Sequence, residues 1–192
     1  MAEGKANKVK FNVKNVHYAT LTEDTPGQYT WGTPVPMPGA VSISMDANGE
    51  ITPFYADGTV YYQTSSNAGY EGDLELALIP DSFRTDILKE TKDAKGVLIE
   101  NANVETGKFA LLFEFDGDVN STRHCLYNCT ATRPTIEGET TEDTKEPTTE
   151  TMTISAAPLE NGLVKAKTSA DTDATVYSSW YNTVHEPEEE PE

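Results

Sequence analysis

The chain is short of the features that mark an enzyme, a membrane protein or a nucleic-acid binder. No stretch approaches the ~20 apolar residues that a membrane-spanning helix needs. Met1–Lys10 is polar and lacks the apolar centre of a signal peptide, which predicts a soluble protein made in a cytoplasm. The 3 histidines, His17, His124 and His185, are scattered, and none shares a motif with a nucleophile or an acid. A Gly-x-Ser-x-Gly elbow, a phosphate loop, a His-Glu-x-x-His helix and a dinucleotide fingerprint are all missing. The 2 cysteines, Cys125 and Cys129, fall in an apolar-rich run. On a strand rising ~3.3 Å per residue their Cα atoms stand roughly 13 Å apart, beyond the ~7 Å that a disulfide spans. One Cys-x3-Cys beside His124, with no second ligand pair, does not make a metal site, so two reduced, half-buried thiols are expected. No catalytic residue, metal ligand or cofactor is assigned.

Positive charge is the other shortage. Lys and Arg number 14 against 32 Asp and Glu, a net charge of −18 over 192 residues. Binding DNA or RNA depends on Lys and Arg releasing condensed counterions, which excludes an ordinary nucleic-acid binder. A charge of this sign suits a protein that sits beside DNA without holding it. The surplus is uneven. Glu186–Glu192 carries −5, and Glu137–Glu150, with six acids against Lys145, carries another −5, leaving −8 for the remainder.

What the chain does have is strand patterning. Lys8–Leu21 alternates, with Val9, Phe11, Val13 and then Val16 and Tyr18 on an apolar face; a slip near Asn15 predicts a bulge. Thr22–Gly39 holds four prolines and three glycines and predicts a long loop presenting Tyr29, Trp31 and Met37, the kind of loop that serves an interface. Val41, Ile43 and Met45 alternate up to Asn48-Gly49, a strong hairpin signal, after which Ile51–Tyr55 is expected to return. Asp57-Gly58 turns into Thr59–Thr64. Glu71–Ile79 places Leu74, Leu76 and Leu78 on one face, with Asp73 and Glu75 opposite. Asp81 or Ser82 caps a predicted helix of about three turns reaching Thr91, with Phe83, Ile87 and Leu88 on one face. Val97–Ala102, Phe109–Asp116 and Ser121–Arg133 read as further strands. In Phe109–Asp116 the residues Phe109, Leu111, Phe113 and Phe115 form an apolar face, and Glu114 and Asp116 are expected on a wet one. Glu137–Glu150, mostly Thr, Glu and Asp, has almost nothing to bury and reads as a mobile loop or arm. Met152–Ala157 and Leu163–Lys167, joined through Asn161-Gly162, suggest a last hairpin. Thr175–Val184, with Trp180 and Tyr181, is expected to dock on a surface.

Several candidate chemistries dissolve into simpler readings. Asp46, Asn48 and Glu50 match part of a calcium loop, but an Asn-Gly hairpin accounts for them; Asp171 and Asp173 carry no more. Asn120 and Asn128 fit the glycosylation pattern, which means nothing without a secretory route. Asp73/Glu75 and Glu114/Asp116 could act as acid/base pairs, yet they sit at strand spacing with no aromatic subsite around them. The expected architecture is a mainly β single domain over residues 1–184. It is a β-sandwich with one short flanking helix, a long loop at 22–39 and an acidic arm at 137–150, followed by a disordered acidic tail at 185–192.

Four stretches together resemble the major tail tube proteins of long-tailed, siphovirus-type phages infecting Gram-positive bacteria. They are NKVKFNVKNVHYA (Asn7–Ala19), PGAVSISM (Pro38–Met45), PFYADG (Pro53–Gly58) and GDLELALIPDSF (Gly72–Phe83). The resemblance implies a β-sandwich subunit, made in the host cytoplasm and built into the virion tail. It implies hexameric rings stacked around a tape-measure protein, with tail-terminator and distal-tail proteins as further partners. DNA passes through the lumen without specific binding, and no enzymatic site carries over. Under this reading Asp73, Glu75, Glu114 and Asp116 are candidates for the lumen, and Tyr29, Trp31, Met37, Trp180 and Tyr181 for subunit contacts. The alternative is an adhesin-like or receptor-binding β-sandwich module, with the aromatic loop on its ligand and the acidic segments as spacers.

Overall fold

A computed structural model describes residues 5–140 and 147–188. Its elements run β1 (Lys10–Thr25), β2 (Gln28–Trp31), β3 (Val35–Pro36), β4 (Ala40–Asn48), β5 (Ile51–Ala56), β6 (Thr59–Ser65) and β7 (Gly69–Leu76). After helix α1 (Asp81–Asp86) come β8 (Thr91–Lys92), β9 (Leu98–Ile99), β10 (Phe109–Gly117), β11 (Thr122–Ala131), β12 (Glu150–Ala156), β13 (Lys165–Lys167) and helix α2 (Ala174–Ser179). One antiparallel sheet in the order β2-β1-β10-β11-β12-β7-β4 forms the body. The fold is mainly β, as expected, but the sandwich is made by two limbs of this one sheet and not by two separate sheets.

The first strand shows how local pattern becomes architecture. Val13 and Val16 are an odd number of residues apart, so a regular strand would send them to opposite faces. Asn15 adopts φ 52°, and the β1–β10 register shifts between Lys14 and His17. This bulge returns Val16 and Tyr18 to the face on which Val13 packs. Beyond it the strand runs to Thr25 and turns at Gly27 into β2, so the predicted loop 22–39 is largely a hairpin.

Strand β10 is buried on both faces. Phe109, Leu111 and Phe113 enter one core; Ala110 and Leu112 enter a second on the other side. The first core is enclosed by β1, β10 and β11 on one limb, β7 and β12 on the other, and α1 across the opening. Phe83 of α1 stands edge-on to Tyr18 and Phe109, at centroid separations of 5.1 and 5.3 Å. The helix is one and a half turns, not three, because Lys89 takes φ 60° and Thr91 has already entered β8. The second core lies beneath the C-terminal segment. Asp173 caps α2, accepting from the backbone N–H groups of Thr175 and Val176, and Trp180 and Val184 close over Ala19, Leu21, Tyr127 and Leu159. This second helix, and the docking of 175–184, use the Asp173 that had offered itself as half a cation pair.

Two predicted hairpins pair otherwise. Strand β5 does not return along β4; it pairs with β6 alone, while β4 pairs with β7 and leaves the β5–β6 hairpin as an excursion between Asn48 and Gly69. Strands β12 and β13 do not pair with each other. They share β11, β12 lying against Cys129–Ala131 and β13 against His124–Leu126. Leu78 falls beyond the end of β7 and is exposed, unlike Leu74 and Leu76. Both cysteines are free and fully buried, not half-buried, and burial pushes their thiols up, that of Cys129 to about 12. Of the acidic arm, residues 141–146 lie outside the described residues, as do 189–192 of the tail. Glu150, counted with the arm, is structural: it accepts from Arg84 (2.7 Å) and from the Ile79 backbone N–H (2.7 Å), tying β12 to the start of α1.

Within the second limb the paired strands β4 and β7 approach closely at Gly72. A Cβ on Gly72 would collide with the Ser44 carbonyl oxygen. Gly72→Ala is therefore expected to cost about 3 kcal/mol in urea unfolding, from steric overlap in a packed sheet, while Gly138→Ala, in open space, changes nothing measurable.

Candidate interaction surfaces

The predicted site residues separate into three environments. Asp73 and Glu75 lie on the outer face of the β12–β7–β4 limb, among Ser42, Ser44, Thr151 and Thr153. Ser42 Oγ and Thr149 Oγ1 donate to Glu75 at 2.8 and 2.6 Å, and Thr153 Oγ1 donates to Asp73 at 2.9 Å. The hydroxyl of Thr149, then that of Ser42, holds the Glu75 carboxyl below its usual range. None of β4, β7 and β12 contains a Lys or Arg, so this face is wet, anionic and free of cations of its own. At its margin β4 pairs with β7 alone among the described residues, leaving an open sheet edge.

Glu114 and Asp116 are not on a wet face. Glu114 is 3% exposed, because the side of β10 on which it sits is covered by the C-terminal segment. It accepts from Asn15 Nδ2 (2.8 Å), Arg123 Nε (3.0 Å) and the Tyr181 hydroxyl (3.1 Å). The Arg123 guanidinium also donates to the Tyr177 carbonyl and lies 3.9 Å from the Tyr177 ring centroid. Burial, then the neighbouring Glu114 charge, pushes the Tyr181 hydroxyl up. Asp116 is half-buried, pairs with Lys14 and accepts from Ser121. Its hydrogen bond from Lys14 holds it below the usual carboxylate range. The arrangement is a fastening that binds the C-terminal segment to β10 and β11, with no group free to act on a substrate.

The aromatic candidates turn inward. Met37 and Trp180 are buried at 1% and 3% exposure, Met37 in the first core and Trp180 in the second. Trp31 is half-buried against Tyr127 and donates to its carbonyl at 3.1 Å; Tyr29 packs beside it, and Tyr181 stacks on His17 with centroids 4.5 Å apart. The exposed aromatics lie elsewhere. Phe54, Tyr55, Tyr61 and Tyr62, with Ile51 and Val60, all stand in solvent on the β5–β6 hairpin, and every residue of β6 is exposed. The sequence carried a signal for this: β6 has no apolar/polar alternation, so it has no face assigned to its own core. An isolated two-stranded hairpin is marginal in water, and an apolar patch of this kind marks a contact surface.

Among the described residues no three His, Cys, Asp or Glu side chains gather where a metal could bind, and no helix is long and apolar enough to cross a membrane. The family model described as phage tail tube protein matches residues 3–189. The chain belongs to the phage tail tube family. No curated protein matches it. It is accordingly a structural component of a virion tail that self-assembles into the tube, and its family is not an enzyme family. The open β4 edge and the aromatic hairpin are left uncovered within the subunit, whereas the Glu114 cluster keeps the subunit itself together.

One interior group of this tail tube protein should report on pH. The His124 ring lies parallel to Phe113 at 5.1 Å and edge-on to Phe115 at 5.5 Å. Burial, then Lys167, Lys165 and Lys10, lowers it from 6.5 to about 4. The unfolded chain takes up this proton first, so the contribution is complete above pH ~6.5 and is lost as pH falls toward 4, by at most about 3 kcal/mol. In urea unfolding followed from pH 7 to 4, the wild-type chain should lose more stability than His124→Phe by up to that amount. Equal losses would place the pH dependence elsewhere.

Proposed function

We propose that this tail tube protein closes into rings, six subunits to a ring, that stack around a tape-measure protein into the conduit through which phage DNA leaves the virion. Tail-terminator and distal-tail proteins cap the two ends, and the subunit is made in the cytoplasm of a Gram-positive host. The observation that carries this reading is the cation-free acidic face of β12–β7–β4 beside the open β4 edge. Pairing such edges between subunits removes the liability of an unpaired strand and continues the sheet around a barrel. Asp73 and Glu75 would then line the lumen. An anionic, hydrated wall offers DNA no Lys or Arg to displace its counterions, so the duplex slides instead of sticking.

The β5–β6 hairpin supports self-association in the same scheme. Its apolar side chains find no cover on their own subunit, and a second copy in the tube supplies it.

Two experiments test this reading. Asp73→Lys with Glu75→Lys should leave tubes intact under the electron microscope but slow DNA ejection severalfold; ejection at the wild-type rate from assembled mutant particles refutes the lumen assignment. Replacing Phe54, Tyr55, Tyr61 and Tyr62 with Ser should leave the melting temperature of the subunit nearly unchanged and abolish tube formation in negative stain. Normal tubes from that variant would show that the hairpin is not the contact.

A further inference from the structure

In a chain with more than twice as many acids as bases, lysine is concentrated at one end of the subunit. Strand β11 pairs with both β10 and β13, which brings the N-terminal segment and residues 165–167 to the same place. Lys5 and Lys167 line one cleft with Asn7, Asn120 and Thr168. The backbone N–H of Lys8 donates to Asp118. Lys10 Nζ lies 4.7 Å from the Phe115 ring centroid, and Lys165 Nζ lies 4.4 Å from that of Tyr70. Among the described residues the ion pairs engage Lys14, Arg84, Lys92, Arg123 and Arg133, and none of these five lysines. Of the nearby acids, Asp116 is held by Lys14 and Asp173 caps α2, while Asp118, Asp171 and, beside Tyr70, Glu50 and Glu71 remain. His124, lowered first by burial, is lowered further by Lys167, Lys165 and Lys10. The aromatic hairpin leaves the body on this side, since Tyr70 beneath Lys165 directly follows Gly69, where the excursion ends.

The far end of β1 has the opposite character. Glu23 and Asp24 close the strand, and Glu23 accepts from the Gly27 backbone N–H. The Glu160 carboxylate stands beside Gly27, and Glu186 and Glu188 line the cleft formed with Gln28–Trp31 and Leu163. The bases that approach this end are Lys108, whose carbonyl accepts from the Leu21 N–H, and Lys165, two residues beyond Leu163. Lys10 and Asp24 stand at opposite ends of the 16-residue β1, up to roughly 50 Å of strand apart, and Lys165 lies between them, in the row of Leu126, Leu111 and Tyr18.

We infer that the lysine end of one copy seats on the carboxylate end of the next, so that charge fixes the direction in which copies stack. The partner is a second copy of this chain, and the inference rests on the tube reading above. Two unlike patches at opposite ends make a head-to-tail contact that repeats without closing, which is how an open filament grows. Complementary charge selects the orientation, because inverted copies would oppose like to like. Exposed charges of this kind are screened within ~8 Å at physiological ionic strength, so assembly should weaken as salt is raised.

A charge swap tests the pairing. Lys10→Glu/Lys165→Glu/Lys167→Glu makes both ends acidic, and Glu160→Lys/Glu186→Lys/Glu188→Lys makes both basic; all six positions are exposed, and melting curves check that each variant folds. Each variant alone should give at least tenfold less sedimentable polymer than wild type, and an equimolar mixture should recover tubes in negative stain. Wild-type-like polymer from either variant alone, or no tubes from the mixture of two folded variants, overturns the charge pairing. If the wild-type chain forms tubes in the same assay, the tube reading survives that result; a wild-type chain that stays monomeric overturns both.

Discussion

Strand β10 is the constraint on which the rest of the subunit depends. Phe109–Phe113 is apolar at every position, so a strand there cannot have a wet side and must be covered twice. One cover is the folded-over limb of β12, β7 and β4 with α1. The other is the C-terminal segment, which has no sheet of its own and is held by Trp180 and by the Arg123–Glu114–Tyr181 cluster. The buried charge is tolerable because each Glu114 oxygen has a partner, and Arg123 is itself stacked and hydrogen-bonded. Removing one member would strand the other in a low-dielectric interior.

With both faces of β10 satisfied internally, the remaining unsatisfied surface is confined to particular places. These are an open edge at β4, an acidic face without cations, an aromatic hairpin without a core, and two oppositely charged ends. A lone soluble protein gains nothing from such features and risks aggregation through them. In the proposed tube they become interior through contact with further copies. The same logic explains the net charge. Much of the −18 lies on the arm and tail, and in the proposed conduit the carboxylates that would line the lumen are the few whose face carries no lysine.

The parts legible from sequence were those governed by neighbours along the chain. The period-2 pattern marked β1, β4, β7, β10 and β11, and the slip at Asn15 marked the bulge, because side-chain alternation is a local property. The pairing of those strands was not legible. Asn48-Gly49 carries a hairpin signal, yet β4 takes β7 as its partner and leaves β5 to β6; turn chemistry fixes a reversal, not the ladder that follows. The aromatic residues misled for the same reason. Tyr29, Trp31 and Trp180 look like contact residues in a list, and only the second core shows Trp180 to be interior and Tyr29 and Trp31 to pack half-buried against it, while Tyr55, Tyr61 and Tyr62 passed as ordinary strand residues.

By itself the sequence determined the class of the molecule: a mainly β, acidic chain with stretches that resemble a tail tube protein and none of the catalytic motifs sought. Those facts follow from composition, periodicity and motif, which do not depend on what lies across the sheet. Tertiary structure alone decided which carboxylates are surface and which are struts. Glu75 and Glu114 have the same side chain and the same strand context, but one faces hydroxyls and water and the other lies under a helix. That difference is made by a segment more than sixty residues further along the chain, and no local pattern encodes it.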